Sequence, residues 1–201
     1  MAKQRKRGNL WVLAAIGAVV VAGVILIELR QPKGAPIYWV IRTAALLGYA
    51  CVFSAILSSA YMRQMVRWFG RPFVKVHHIL SISGLVLILI HPLAVAWNAF
   101  DLAVFIPSTS SWFSFFALGG RPAWYLIGIA SLVAAFRKRV GKNWKLFHYL
   151  NYLAFWLATV HGILIGKNVQ NVVMRTLFIL LAVVVLGVLV QKRTGLLKRK
   201  K

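Results

Sequence analysis

The chain is 201 residues long, 61% hydrophobic and 13% charged, with 25 Lys and Arg against 2 acidic residues, Glu28 and Asp101. A soluble fold of this size needs a mixed-charge surface, and there are too few polar residues here to cover one. A net charge of +23 would suit a nucleic-acid partner. The basic residues, however, fall in short clusters between long apolar runs, so membrane topology accounts for them and no nucleic acid is expected. The lone Cys51 lies inside an apolar run and forms no internal disulfide.

Crossing about 30 Å of hydrocarbon takes roughly 20 apolar residues in a helix. Six stretches meet or approach that length, at about 10–28, 37–60, 77–98, 122–136, 146–166 and 172–190. They predict an all-α integral membrane protein, a bundle of six transmembrane helices. The first run, Leu10 to Ile27, is longer than the apolar part of a signal peptide and lacks a clear cleavage site, so it reads as an uncleaved span. Pro32, Gly34 and Pro36 break the chain between the first two spans. The long connection is 99–121, with Pro107, Ser108 to Ser111 and Gly119-Gly120.

Charge sets the expected orientation. Lys3, Arg5, Lys6 and Arg7 precede span one. Arg63, Arg67, Arg71 and Lys75 follow span two, and Arg137, Lys138, Arg139, Lys142 and Lys145 follow span four. Lys192, Arg193, Lys198, Arg199, Lys200 and Lys201 close the chain, giving 19 basic residues on one side. Arg30, Lys33, Arg42, Arg121, Lys167 and Arg175 make 6 on the other. The positive-inside rule then puts both termini in the cytoplasm. Residues 1–9 and 191–201 become basic cytoplasmic ends flanking a membrane domain at 10–190.

All five histidines lie in spans three and five: His77, His78 and His91, then His148 and His161. Ionisable groups inside a bilayer are costly and mark functional sites facing the bundle interior. His77 and His91 are 14 residues apart, about 21 Å along a helix and within about 40° of one face. His148 and His161 are 13 apart, which on an ideal helix sets them about 140° from each other. A bend or local change of winding is therefore needed between them. Spans three and five run parallel, so His77 and His148 form an inner layer and His91 and His161 an outer one. Two imidazoles across a gap suit the axial positions of a haem iron. A structural zinc site takes four ligands, and no further ligand is placed to help. Without Cys-x-x-Cys-His the haem is non-covalent, of b type. Two haems are expected, and at least one. His78, rotated about 100° from His77, is the alternative inner ligand.

The run His77-His78-Ile79-Leu80 through His91, with Arg137 to Trp144 leading into His148-Tyr149-Leu150-Asn151-Tyr152-Leu153 and His161, resembles the ferric-reductase-like transmembrane domain superfamily. That group includes the membrane parts of NADPH oxidases, ferric reductases and the MsrQ (YedZ)-type haem b subunits. Arg121-Pro122 and the basic Gly-Lys-x-Trp lead-in resemble the MsrQ branch most. The resemblance covers about 37–190. It implies His77 with His148 for an inner haem iron and His91 with His161 for an outer one, and a stacked pair that carries electrons across the membrane. The family's later helix also shows a 13-residue spacing. A histidine at 77, where some MsrQ members carry arginine, leans toward a complete two-haem path.

The function expected is a membrane cytochrome b in the cell inner (plasma) membrane, MsrQ-like. Its electrons come from a separate cytoplasmic flavoprotein reductase or a quinol, since no Gly-rich nucleotide motif is present. FMN and quinone are further candidate cofactors. The acceptor is extracytoplasmic, a periplasmic reductase subunit being the leading partner beyond the lipid bilayer itself. One alternative is direct reduction of ferric iron or oxygen. Another, of a different class, is a haem-free histidine-lined proton or metal transporter. Arg71, Lys75 and Arg121 are candidate contacts for the acidic arms of a haem, with Arg42 and Lys167 also near the outer layer. The aromatic loop 99–121 is expected to cover the outer haem or receive a partner.

Overall fold

The computed structural model describes residues 10–31, 34–70 and 72–194. The basic residues of 1–9 and 195–201, together with Lys33 and Arg71, lie outside the described residues. Among the described residues every regular element is helical, as the composition requires. Among those residues, four helices are long and apolar enough to cross a membrane: α1 (Leu10–Leu29), α2 (Pro36–Ala60), α4 (Phe73–Ala99) and α10 (Val172–Thr194). The chain is therefore a multi-pass membrane protein, with the bilayer as its solvent. Val19 is 71% exposed and Val173 75%, which suits lipid contact.

The spans expected at about 122–136 and 146–166 meet α6 (Gly120–Ala135) and α9 (Leu150–Ile165), of 16 residues each and shorter than those four. Each is about 24 Å long at 1.5 Å per residue. Short helices flank them: α5 (Trp112–Ala117) before α6, α7 (Arg137–Val140) after it, and α8 (Trp144–His148) before α9. A further short helix, α3 (Met62–Phe69), follows α2 and ends at Gly70, whose φ of 81° is glycine territory. Pro36 opens α2 at its first turn, where a missing N–H costs nothing.

Apolar surface gives helices little drive to associate in lipid, so close packing and polar contacts must hold the bundle. Small residues do much of this. A Cβ on Gly48 would lie 3.2 Å from Ile88 Cγ1, and one on Gly84 3.1 Å from Cys51 Cβ, which brings α2 tightly against α4. Gly162 lets α9 approach α10, since a Cβ there would sit 2.9 Å from Phe178 Cε1. Ala130 and Ala154 are wholly buried where α6 meets α9. At the centre, the Tyr49 ring stacks between Phe155 at 4.6 Å and Phe178 at 4.3 Å, joining α2, α9 and α10. Its hydroxyl lies 2.9 Å from Thr159 Oγ1, which itself donates to the Phe155 carbonyl.

Candidate functional site

Among the described residues, two cavities are lined by the paired histidines. The larger, about 440 Å³, is lined by His91 and His161. The smaller, about 60 Å³, is lined by His77 and His148. His77 thus shares a cavity with His148, and His91 shares one with His161. The segment carrying His148 and His161 is divided at Tyr149, between α8 and α9.

At the larger cavity, His91 Nδ1 lies 2.9 Å from the Ile41 carbonyl on α2. His161 Nδ1 lies 2.7 Å from the Ala117 carbonyl on α5. A carbonyl only accepts, so each Nδ1 carries the proton and each Nε2 is left with a free lone pair. This is how ligand histidines are oriented by a second partner. The two ring centroids are 6.4 Å apart. Gly120 helps keep the room open: a Cβ there would stand 3.1 Å from His161 Nε2 and Cδ2.

Among the described residues no group of three or more His, Cys, Asp or Glu is placed to hold a metal ion. Two imidazoles leave a bare ion short of ligands. His91 and His161 would suit a metal that carries further donors of its own, such as the iron of a porphyrin. A cavity of this size lies within the about 300–1,000 Å³ range of cofactor pockets, and Ile41, Val52, Ile88 and Ile127 give it largely apolar walls. The residues present fit such a group. Loop residues Val104 and Phe105 form part of the wall. Tyr125 donates to the Phe105 carbonyl and Arg121 Nη1 to that of Ile106, at 3.0 and 2.7 Å. The 99–121 segment thus folds over this cavity.

The smaller cavity is built differently. Ser58 donates its hydroxyl proton to the Ala55 carbonyl at 2.9 Å, so its oxygen accepts from His77 Nδ1, also 2.9 Å away. His77 Nε2 is therefore unprotonated. Asn151 Nδ2 donates to the His148 carbonyl at 3.0 Å and stands 3.3 Å from His148 Nδ1, an arrangement that puts the ring proton on Nε2 instead. At about 60 Å³ this cavity has no room for a macrocycle as packed. His78 is exposed, its ring 5.9 Å from that of His77, and it lines neither cavity. Lys75 is exposed in the first turn of α4 and lines neither cavity, whereas Arg121 lines the larger one. Trp156 packs against the Tyr49 core and faces neither.

One part of the site is absent from any histidine pattern. Glu28, at the end of α1, is fully buried and accepts from Arg42 Nε at 2.8 Å. Asn168, in the turn between α9 and α10, donates to its other oxygen. Arg42 and Asn168 both line the larger cavity. The available signal was a solitary carboxylate in a long apolar run, which membrane energetics alone marks as paired. Compared with family models, with characterised proteins and with solved structures, the chain matches none.

Proposed function

We propose that this protein is a six-span membrane cytochrome b of the inner (plasma) membrane, both termini cytoplasmic, carrying electrons to an extracytoplasmic acceptor. The observation that carries this reading is the outer pair: two imidazoles 6.4 Å apart across an apolar cavity, each with its Nδ1 proton fixed on a backbone carbonyl. His91 and His161 would hold one haem b, and His77 and His148 a second. The group, when bound, supplies one-electron redox chemistry. The chain's own residues fix the ligand tautomers, exclude water and space the two layers across the membrane. A second haem between His77 and His148 requires the helices carrying them to part and His148 to shift its ring proton.

Six spans follow if α6 and α9 cross together with their flanking helices. Residues 144–165 are helical but for Tyr149, about 33 Å at 1.5 Å per residue. The resemblance to MsrQ-type subunits agrees with a separate flavoprotein or quinol as the one-electron donor and a periplasmic reductase as the acceptor. A haem-free proton relay needs a carboxylate within reach of the histidines. Glu28 is instead committed to Arg42 and Asn168.

The test is transfer across a bilayer. Purified protein in vesicles, reduced from outside, should reduce ferricyanide trapped within, and His91→Ala should abolish this. Empty and protein-loaded vesicles behaving alike would sink the reading. Full activity toward chelated ferric iron without any partner would favour direct reduction.

A further inference from the structure

The Glu28–Arg42–Asn168 cluster draws three separate elements together at the edge of the larger cavity. Burying a carboxylate is unfavourable unless it is paired and hydrogen-bonded. Glu28 meets both conditions, with one oxygen taken by Arg42 and the other by Asn168. The cavity end is left with unused capacity. Arg42 is a five-donor fork, and among the described residues only its Nε is engaged. Asn168 Oδ1 is buried without a hydrogen-bond partner among the described residues, on a residue only 5% exposed. Its amide cannot turn to hide that oxygen, because Nδ2 is needed by Glu28.

We propose that Glu28 is a positioning residue for the ligand of this cavity. It holds Arg42 so that the terminal guanidinium nitrogens receive an acidic arm of the bound macrocycle, and its own charge sets the local field. This rests on the haem reading of His91 and His161. In a water-poor site a full charge acts strongly on a nearby redox centre. The negative charge of Glu28 favours the oxidised, more positive form, so its removal raises the midpoint potential. Arg42 thus joins Arg121 at the outer layer as the contact for an acidic arm, and α1 is tied to the cavity through its last turn.

The experiment is a potentiometric titration of the detergent-purified full chain, wild type against Glu28→Gln, with the outer step identified as the one missing from His91→Ala. Glu28→Gln should keep both haems and raise the potential of the outer step alone. Glu28→Gln/Arg42→Met removes both charges and leaves no unpaired buried ion, so it guards against misfolding of the single variant. That double variant should lose the outer haem to apomyoglobin several-fold faster than wild type and keep the inner one. Unchanged outer potential in the first, or unchanged haem loss in the second, overturns the role of Glu28 and leaves the haem reading standing. Wild-type protein that binds no haem overturns the haem reading, and this inference with it.

Discussion

His91 and His161 line one cavity from α4 and α9, their ring centroids 6.4 Å apart, and each donates its Nδ1–H to a backbone carbonyl, His91 to Ile41 on α2 and His161 to Ala117 on α5. Because the anchors are backbone groups, the ring orientations survive most side-chain changes around them.

His91→Ala and His161→Ala should each lower haem content by one per chain, and His77→Ala and His148→Ala should remove the other. His78→Ala should leave content unchanged, since that ring is exposed away from both cavities. Pyridine haemochrome assays on the purified variants read this directly. Loss in His78→Ala with retention in His77→Ala would reverse the inner assignment.

Gly120 should tolerate nothing larger. A Cβ 3.1 Å from His161 Nε2 forces the imidazole to move, and Gly120→Val adds two methyl groups beyond it. The low-spin signal of the outer haem should give way to a high-spin one in electron paramagnetic resonance spectra. An unchanged low-spin spectrum would show that the ring has slack the geometry denies it.

Ser58→Ala removes the acceptor for His77 Nδ1. An unsatisfied buried donor costs about 1–3 kcal/mol, so the melting temperature in detergent should fall. Ser58→Thr, which keeps the hydroxyl, should restore most of it. The outer haem should be indifferent to both.

Tyr49 separates packing from hydrogen bonding. Interhelical hydrogen bonds in membrane proteins average about 0.6 kcal/mol, so Tyr49→Phe should be mildly destabilising. Tyr49→Ala empties the stack between Phe155 and Phe178, and large-to-Ala core changes cost about 3–5 kcal/mol. Chemical denaturation in mixed micelles measures both, and equal losses would contradict the stacked-core account.

Much of this was legible in the amino-acid sequence because the bilayer imposes simple rules. Long apolar runs gave α1, α2, α4 and α10, and the 14-residue spacing gave His77 and His91 their layers. The start of α9 was not legible, because hydropathy does not register the turn at Tyr149 that divides a continuous apolar stretch. Glu28 sits just past the first apolar run, and its burial depends on Arg42 and Asn168, 14 and 140 residues away. No local pattern encodes that meeting. The unequal cavities were equally hidden, since size depends on packing between helices and not on the order of residues within one.

Binding of haem by the imidazole pairs is read from the reduced-minus-oxidised spectrum of purified protein with a haem-to-protein ratio. Low-spin b-type bands at a ratio near two are expected, with His91 and His161 retaining one haem when the inner pair is removed. A ratio near one confined to the outer pair would contradict the two-layer path. No haem bound, even after supplementation, would contradict the account altogether.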